Sequence, residues 1–98
     1  MTGYHQSGTR RDVCVLLYDA GELRGQRLKT ALERHYERGI DPKRFYGVLD
    51  QLVRAGHVEK RPEGLHDVYS LSDEGEAALL SHFAWLRARL AGAQTADS

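Results

Sequence analysis

The sequence predicts an α+β domain, mostly helical: three helices, a β-hairpin and a longer terminal helix. Three observations carry that expectation. Apolar residues recur at helical spacing in three separate stretches of the first half. After Gly56 the pattern changes to short runs with β-branched and aromatic residues on either side of Pro62-Glu63-Gly64. A last helical stretch then opens at Ser72-Asp73-Glu74. At 98 residues there is room for one modest core and not for two. A hydrophobic content of 41% with 29% charged residues fits a globular chain.

Taken in order, residues 1–9 are polar, contain Gly3 and Gly8, and have no periodicity, so they are expected to form a mobile arm. The first helix begins at Arg10 or Arg11, with Val13, Leu16, Leu17 and Ala20 as its core stripe. Cys14, Val15 and Tyr18 add apolar surface on another side, which suggests packing on two sides, one of them against a second subunit. For Cys14, burial as a small hydrophobe is the default role. Asp19 to Glu22 breaks the pattern. A second helix is expected from about Gly25 to Arg38, with Leu28, Ala31, Leu32, His35 and Tyr36 at helical spacing and Gly39 as its stop.

The third helix has the clearest signals. Asp41 can cap it, Pro42 suits its first position, and Gly56 can supply the left-handed residue after its end. Ile40 and Phe45 are spaced for a hydrophobic staple. Phe45, Val48, Leu49, Leu52 and Val53 form one apolar stripe. The opposite face carries Lys43, Gly47, Asp50, Gln51 and Arg54, with Arg44 and Tyr46 on its flanks. Two helices joined by a short turn, the second capped and cationic outside, read as a helix-turn-helix.

Val58 to Arg61 and Asp67 to Leu71 are then the strands of a hairpin, with Lys60 and Arg61 near its tip. Three helices followed by a hairpin give a winged helix-turn-helix domain over residues 10–72. Ser72 can cap the terminal helix, which is expected over 73–90 with a frayed tail at 91–98. Leu79, Phe83, Leu86 and Leu90 form one stripe and Trp85 lies on another, more apolar area than so small a domain needs inside. The helix therefore reads as a dimerisation element, with Cys14 and Tyr18 of the first helix adding to it.

The composition excludes much else. A single cysteine allows no internal disulfide and no multi-Cys zinc site. The five histidines show no metal-binding spacing, and no nucleophile elbow or phosphate-cradling loop occurs, so neither enzyme nor cofactor is expected. No apolar run is long enough for a membrane span or a signal peptide, which points to the cytoplasm. Net charge is zero, and residues 41–66 hold five cations against four anions. Any nucleic-acid binding must therefore rest on how a few cations are aimed.

Arg11-Asp12-Val13, Gly25, Arg44-Phe45-Tyr46 with Leu49 and Leu52-Val53, the run from Ala55 to Lys60, and Val68 to Gly75 together resemble the PadR family, most closely its short archaeal members. The resemblance spans residues 10 to 90, and its most specific pieces are RFYGVLDQLVRAGHVEK and YSLSDEG. It implies a transcriptional regulator that binds double-stranded DNA as a homodimer, with the third helices in successive major grooves and the wings over the backbone or minor groove. Gly47 departs from the family, which often has proline there, and the family's aromatic-rich ligand pocket is not evident.

Chemistry then assigns the contacts. Lys43 and Arg44 can reach phosphates or the O6/N7 edge of guanine. Tyr46 either donates to a phosphate or packs against the second helix. Gln51 either reads adenine or sits too far along the helix. Lys60 and Arg61 on the wing, and Gln26, Arg27 and Lys29 early in the second helix, are candidates for the backbone. The expected function is a sequence-specific repressor on a pseudo-palindromic operator. The competing expectation is a winged-helix module that binds a protein through its third or terminal helix.

Overall fold

The computed structural model describes residues 2–97. The elements run α1 (Thr2–Ala20), β1 (Glu22–Arg24), α2 (Gly25–Tyr36), α3 (Pro42–Arg54), β2 (Val58–Glu63), β3 (His66–Leu71) and α4 (Asp73–Asp97). The three strands form one antiparallel sheet in the order β1-β3-β2. This is the winged-helix arrangement expected from the sequence. No helix among the described residues is long and apolar enough to cross a membrane.

One core holds the elements together. Val13 and Leu17 of α1, Leu28 and Leu32 of α2, and Phe45 and Leu49 of α3 are all at most 1% exposed. Burying a side chain of this size contributes about 1.5–3 kcal/mol. Leu52, Val58 and Tyr69 complete the cluster, and Ile40, Val48, Val53 and Leu79 pack on its edge.

Several boundaries differ from expectation. Helix α1 begins at Thr2 where an arm was expected, and α4 runs on to Asp97, past the expected end at Leu90. Once packing has nucleated a helix, each further residue gains a ladder hydrogen bond for one pair of fixed dihedrals, so polar flanks can follow. Helix α2 ends at Tyr36, and its left-handed residue is Glu37 (φ 57°), not Gly39. Strand β1 was not foreseen, because three residues are too few to show alternation. It exists through pairing of Leu23 with Tyr69 and Arg24 with Val68.

The hairpin turn lies at Gly64-Leu65, since Glu63 pairs with His66. Gly64 (φ 62°) supplies the positive φ that a two-residue hairpin link requires. Pro62, expected in the turn, is inside β2. That is tolerated because β2 is an edge strand and has no second neighbour to need the missing N–H. Lys60 and Arg61 consequently lie mid-strand, opposite Tyr69 and Val68, and not near the tip.

Two small networks fix the recognition elements. Asp41 caps α3 by accepting from the Arg44 N–H (3.0 Å). In the turn between α2 and α3, one oxygen of Glu33 accepts from the Ile40 N–H (2.7 Å) and from Lys29 Nζ (3.0 Å). The Ile40 N–H first, and Lys29 after it, hold the Glu33 carboxyl below its ordinary pKa. A depressed carboxyl stabilises the fold fully above the range where a free glutamate titrates, and that contribution is lost as pH falls through the folded value. Wild type should therefore melt higher than Glu33→Gln at neutral pH, with the gap closing in acid. Thermal melts from pH 7 to pH 3 check this, and a gap independent of pH would refute it.

Candidate nucleic-acid interface

Helix α3 presents its first turn to solvent because Phe45 and Leu49 anchor the other side. Lys43 and Arg44 are exposed and, among the described residues, in no ion pair. Gly47 is exposed, and nothing lies within 4 Å of where its Cβ would stand. One turn on, Asp50 pairs with Arg54 (3.1 Å), which reduces its repulsion of a phosphate.

Between Tyr46 of α3, the start of α2 and the wing lies a cleft of about 390 Å³. Its walls include Gln26 and Arg27 of α2, Tyr46 of α3, and Leu65 and His66 of the wing. Arg24 also faces it, at 4.0 Å from Glu63. Tyr46 packs over the first residue of α2: a Cβ on Gly25 would stand 2.9 Å from its Cε1 and 3.0 Å from its hydroxyl oxygen. The packing reading of Tyr46 is thus the one the geometry favours, with a 40% exposed ring still bordering the cleft. Burial first, and then the acidic neighbour Asp67, push the Tyr69 phenol pKa up, so it stays a neutral donor.

Other expected contacts are corrected. Lys29 is only 9% exposed and its ammonium is held by Glu33, so it is not free to meet a phosphate. Gln51 lines a different cavity, between α1, α3 and α4, away from Lys43 and Arg44. Its place on the outward side of an isolated helix did not reveal that α4 would border it.

Arg61 reaches across β3 to Glu22 (2.7 Å) and along its own strand to Glu63 (3.2 Å). Those two carboxylates raise the guanidinium pKa further and occupy its donors. Arg61 therefore ties the wing to β1, and Lys60 is the wing cation left without an ion pair among the described residues. Reasoning from sequence missed Arg24, because the strand that carries it was missed.

The residues assigned to dimerisation divide in two. Cys14 lies in the protomer's own core, where burial raises its thiol pKa, and Leu79 packs on the edge of that core. This corrects the placing of Cys14 on an intersubunit surface. Tyr18, Phe83, Trp85 and Leu90 are about half exposed or more, and Leu86 is 36% exposed. They leave an apolar surface along α1 and α4 that is uncovered among the described residues.

No protein-family model and no curated protein matches the chain. Solved structures do. RosR of H. salinarum is similar over 83% of this chain and 74% of its own, with a TM-score of 0.78 and 27% identity. A protein of Thermoplasma acidophilum described as a transcriptional regulator matches 97% of this chain and 96% of its own, with a TM-score of 0.74 and 18% identity. Bacillus subtilis PadR, solved in complex with operator DNA, matches 76% of this chain and 45% of its own, with a TM-score of 0.63 and 22% identity. The chain has the winged-helix fold that these proteins share, in agreement with the PadR-like resemblance of its sequence.

Proposed function

We propose that the chain is a DNA-binding transcription regulator that acts as a homodimer. Helix α3 enters the major groove of each half-site, with the wing lying over the adjacent backbone. The observation that carries this reading is the first turn of α3: Lys43 and Arg44 stand exposed and, among the described residues, free of ion pairs, on a helix capped by Asp41 and anchored by Phe45. Gln26 and Arg27, across the cleft, are positioned to hold the phosphate backbone. The operator complex of a fold relative supports the same partner.

The uncovered apolar surface of α1 and α4 supports pairing of two chains, which would set two recognition helices about one helical turn of DNA apart. Repression by occlusion is the simplest outcome of such binding. Arg27, Lys43, Arg44 and Lys60 are, among the described residues, the free cations of the site, so a dimer neutralises at most about eight phosphates through them. The logarithm of affinity should then fall with the logarithm of salt concentration with a slope no steeper than about −7.

Titration of random and palindromic DNA pools across a salt series tests the reading. The expected result is salt-dependent binding that enriches a palindrome. No binding at low salt by an intact dimer would sink it and leave the winged helix as a protein-interaction module.

A further inference from the structure

Gly47 stands at the middle of the outward face of α3. At about 100° per residue, Lys43, Asp50 and Arg54 fall to one side of it and Arg44 and Gln51 to the other, all of them exposed. Nothing in the fold asks for glycine at this position. Its φ is not positive, unlike those of Gly21, Gly56 and Gly64, and nothing within 4 Å would meet a Cβ. Gly25, by contrast, has Tyr46 packed over it. Glycine is among the worst residues for a helix interior, so the exposed centre of α3 carries a weakness that alanine would remove. What glycine supplies there is close approach. The helix backbone itself becomes the surface, between the cations Lys43 and Arg44 one turn back and Asp50, already paired with Arg54, one turn on.

The chemistry of that surface is narrow. Inside the helix, the N–H and carbonyl of Gly47 belong to the hydrogen-bond ladder, and the residue has no side chain. It can therefore offer a base no hydrogen bond, only van der Waals contact with its Cα and the adjoining backbone. On the major-groove edges of the base pairs, the apolar group that projects is the C5-methyl of thymine.

We propose that Gly47 is a specificity-determining residue: its empty Cβ position seats the C5-methyl of one thymine in each half-site. This role depends on α3 entering the major groove, the reading proposed for the chain, and adds to it the identity of a base. An alanine would put its own methyl group where that of thymine must go.

The probe is the tightest duplex that the wild-type chain recovers from a random pool. It would be resynthesised with deoxyuridine in place of each thymine in turn, at equivalent positions of both half-sites. Uracil keeps every hydrogen-bonding group of thymine and lacks only the methyl. Binding is followed by fluorescence anisotropy. At one position, wild type should bind the uracil duplex about 15-fold more weakly, since one buried methyl is worth about fourfold and a dimer loses two.

Gly47→Ala should bind the thymine duplex at least about tenfold more weakly, because two methyl groups compete for one space. It should also lose or reverse the preference for thymine over uracil at that same position. Its salt slope should stay that of wild type, as no cation is removed, and it should melt at the wild-type temperature or up to about 8 °C higher. A merely structural role for Gly47 would leave the choice between thymine and uracil unmoved. A tightest duplex in which no thymine responds to loss of its methyl would overturn the proposal, as would a Gly47→Ala chain that keeps the wild-type preference. Both results leave DNA binding standing. A wild type that selects no duplex at low salt would overturn the regulator reading and this role with it.

Discussion

Gly75→Ala is expected to destabilise the protein by about 3 kcal/mol or more, although alanine is the better helix former. Gly75 lies in the first turn of α4 and is buried. A Cβ there would overlap the carbonyl group of His57, which is backbone and cannot swing aside. That carbonyl already accepts from the Ser72 N–H (3.0 Å). Ser72 Oγ in turn accepts from the Gly75 N–H (3.0 Å) and donates to the Gly56 carbonyl (2.5 Å). Two hydrogen bonds thus fasten Ser72 to the end of the α3 unit and a third caps α4, and the methyl group would break their geometry together.

In a domain of this size each kcal/mol moves the melting temperature by about 4–8 °C, so a fall of roughly 12–24 °C is expected. Gly92→Ala is the matching control. It lies in the same helix with nothing within 4 Å of its Cβ position, so it should be neutral or stabilising by up to about 1 kcal/mol. Calorimetry of the two variants separates steric cost from helix propensity. A Gly75→Ala protein that melts with wild type would mean the His57 carbonyl can retreat.

For the Lys43→Ala, Arg44→Ala double variant, the expected effect is on DNA and not on folding. Both side chains are exposed and outside the core, while Asp41 keeps its cap because Arg44 donates through its backbone N–H. In a dimer each substitution counts twice. A well-placed arginine on a base edge is worth about 1–3 kcal/mol, so the two copies of Arg44 alone represent roughly 30-fold to 10⁴-fold in affinity. Removing four cations should also flatten the salt slope by up to about 4.

Arg61→Ala supplies the contrast. Its charge is already balanced by Glu22 and Glu63, so the salt slope should stay at the wild-type value. Surface ion pairs of this kind are worth little in solvent, and any loss of affinity would come from a looser wing. Fluorescence anisotropy at several salt concentrations distinguishes the two variants. Equal flattening of the slope by both would show that Arg61 leaves its carboxylates to meet DNA.

How much was legible in the sequence depended on whether a feature is local. The α3 signals all act within a few residues: the Asp41 cap, Pro42 at the first position, the stripe from Phe45 to Leu52, and Gly56 with φ 80°. The same holds for the Ser72 cap of α4. Such features can be read because the hydrogen bond or steric limit involved is completed by neighbours along the chain.

The rest was decided across the chain. Strand β1 exists only because β3 offers it a free edge, and Pro62 sits in a strand only because that strand's other edge is open. Arg61 is spoken for by Glu22, 39 residues away, and Lys29 is buried under a carboxylate that also secures Ile40. Gln51 and Cys14 border a cavity whose far wall is α4. By itself the sequence determined the three helices, the hairpin and the exposed cationic start of α3, because periodicity and capping are short-range. Only the tertiary structure decided which cations remain free, since a charge is available only when no partner from elsewhere in the fold already satisfies it.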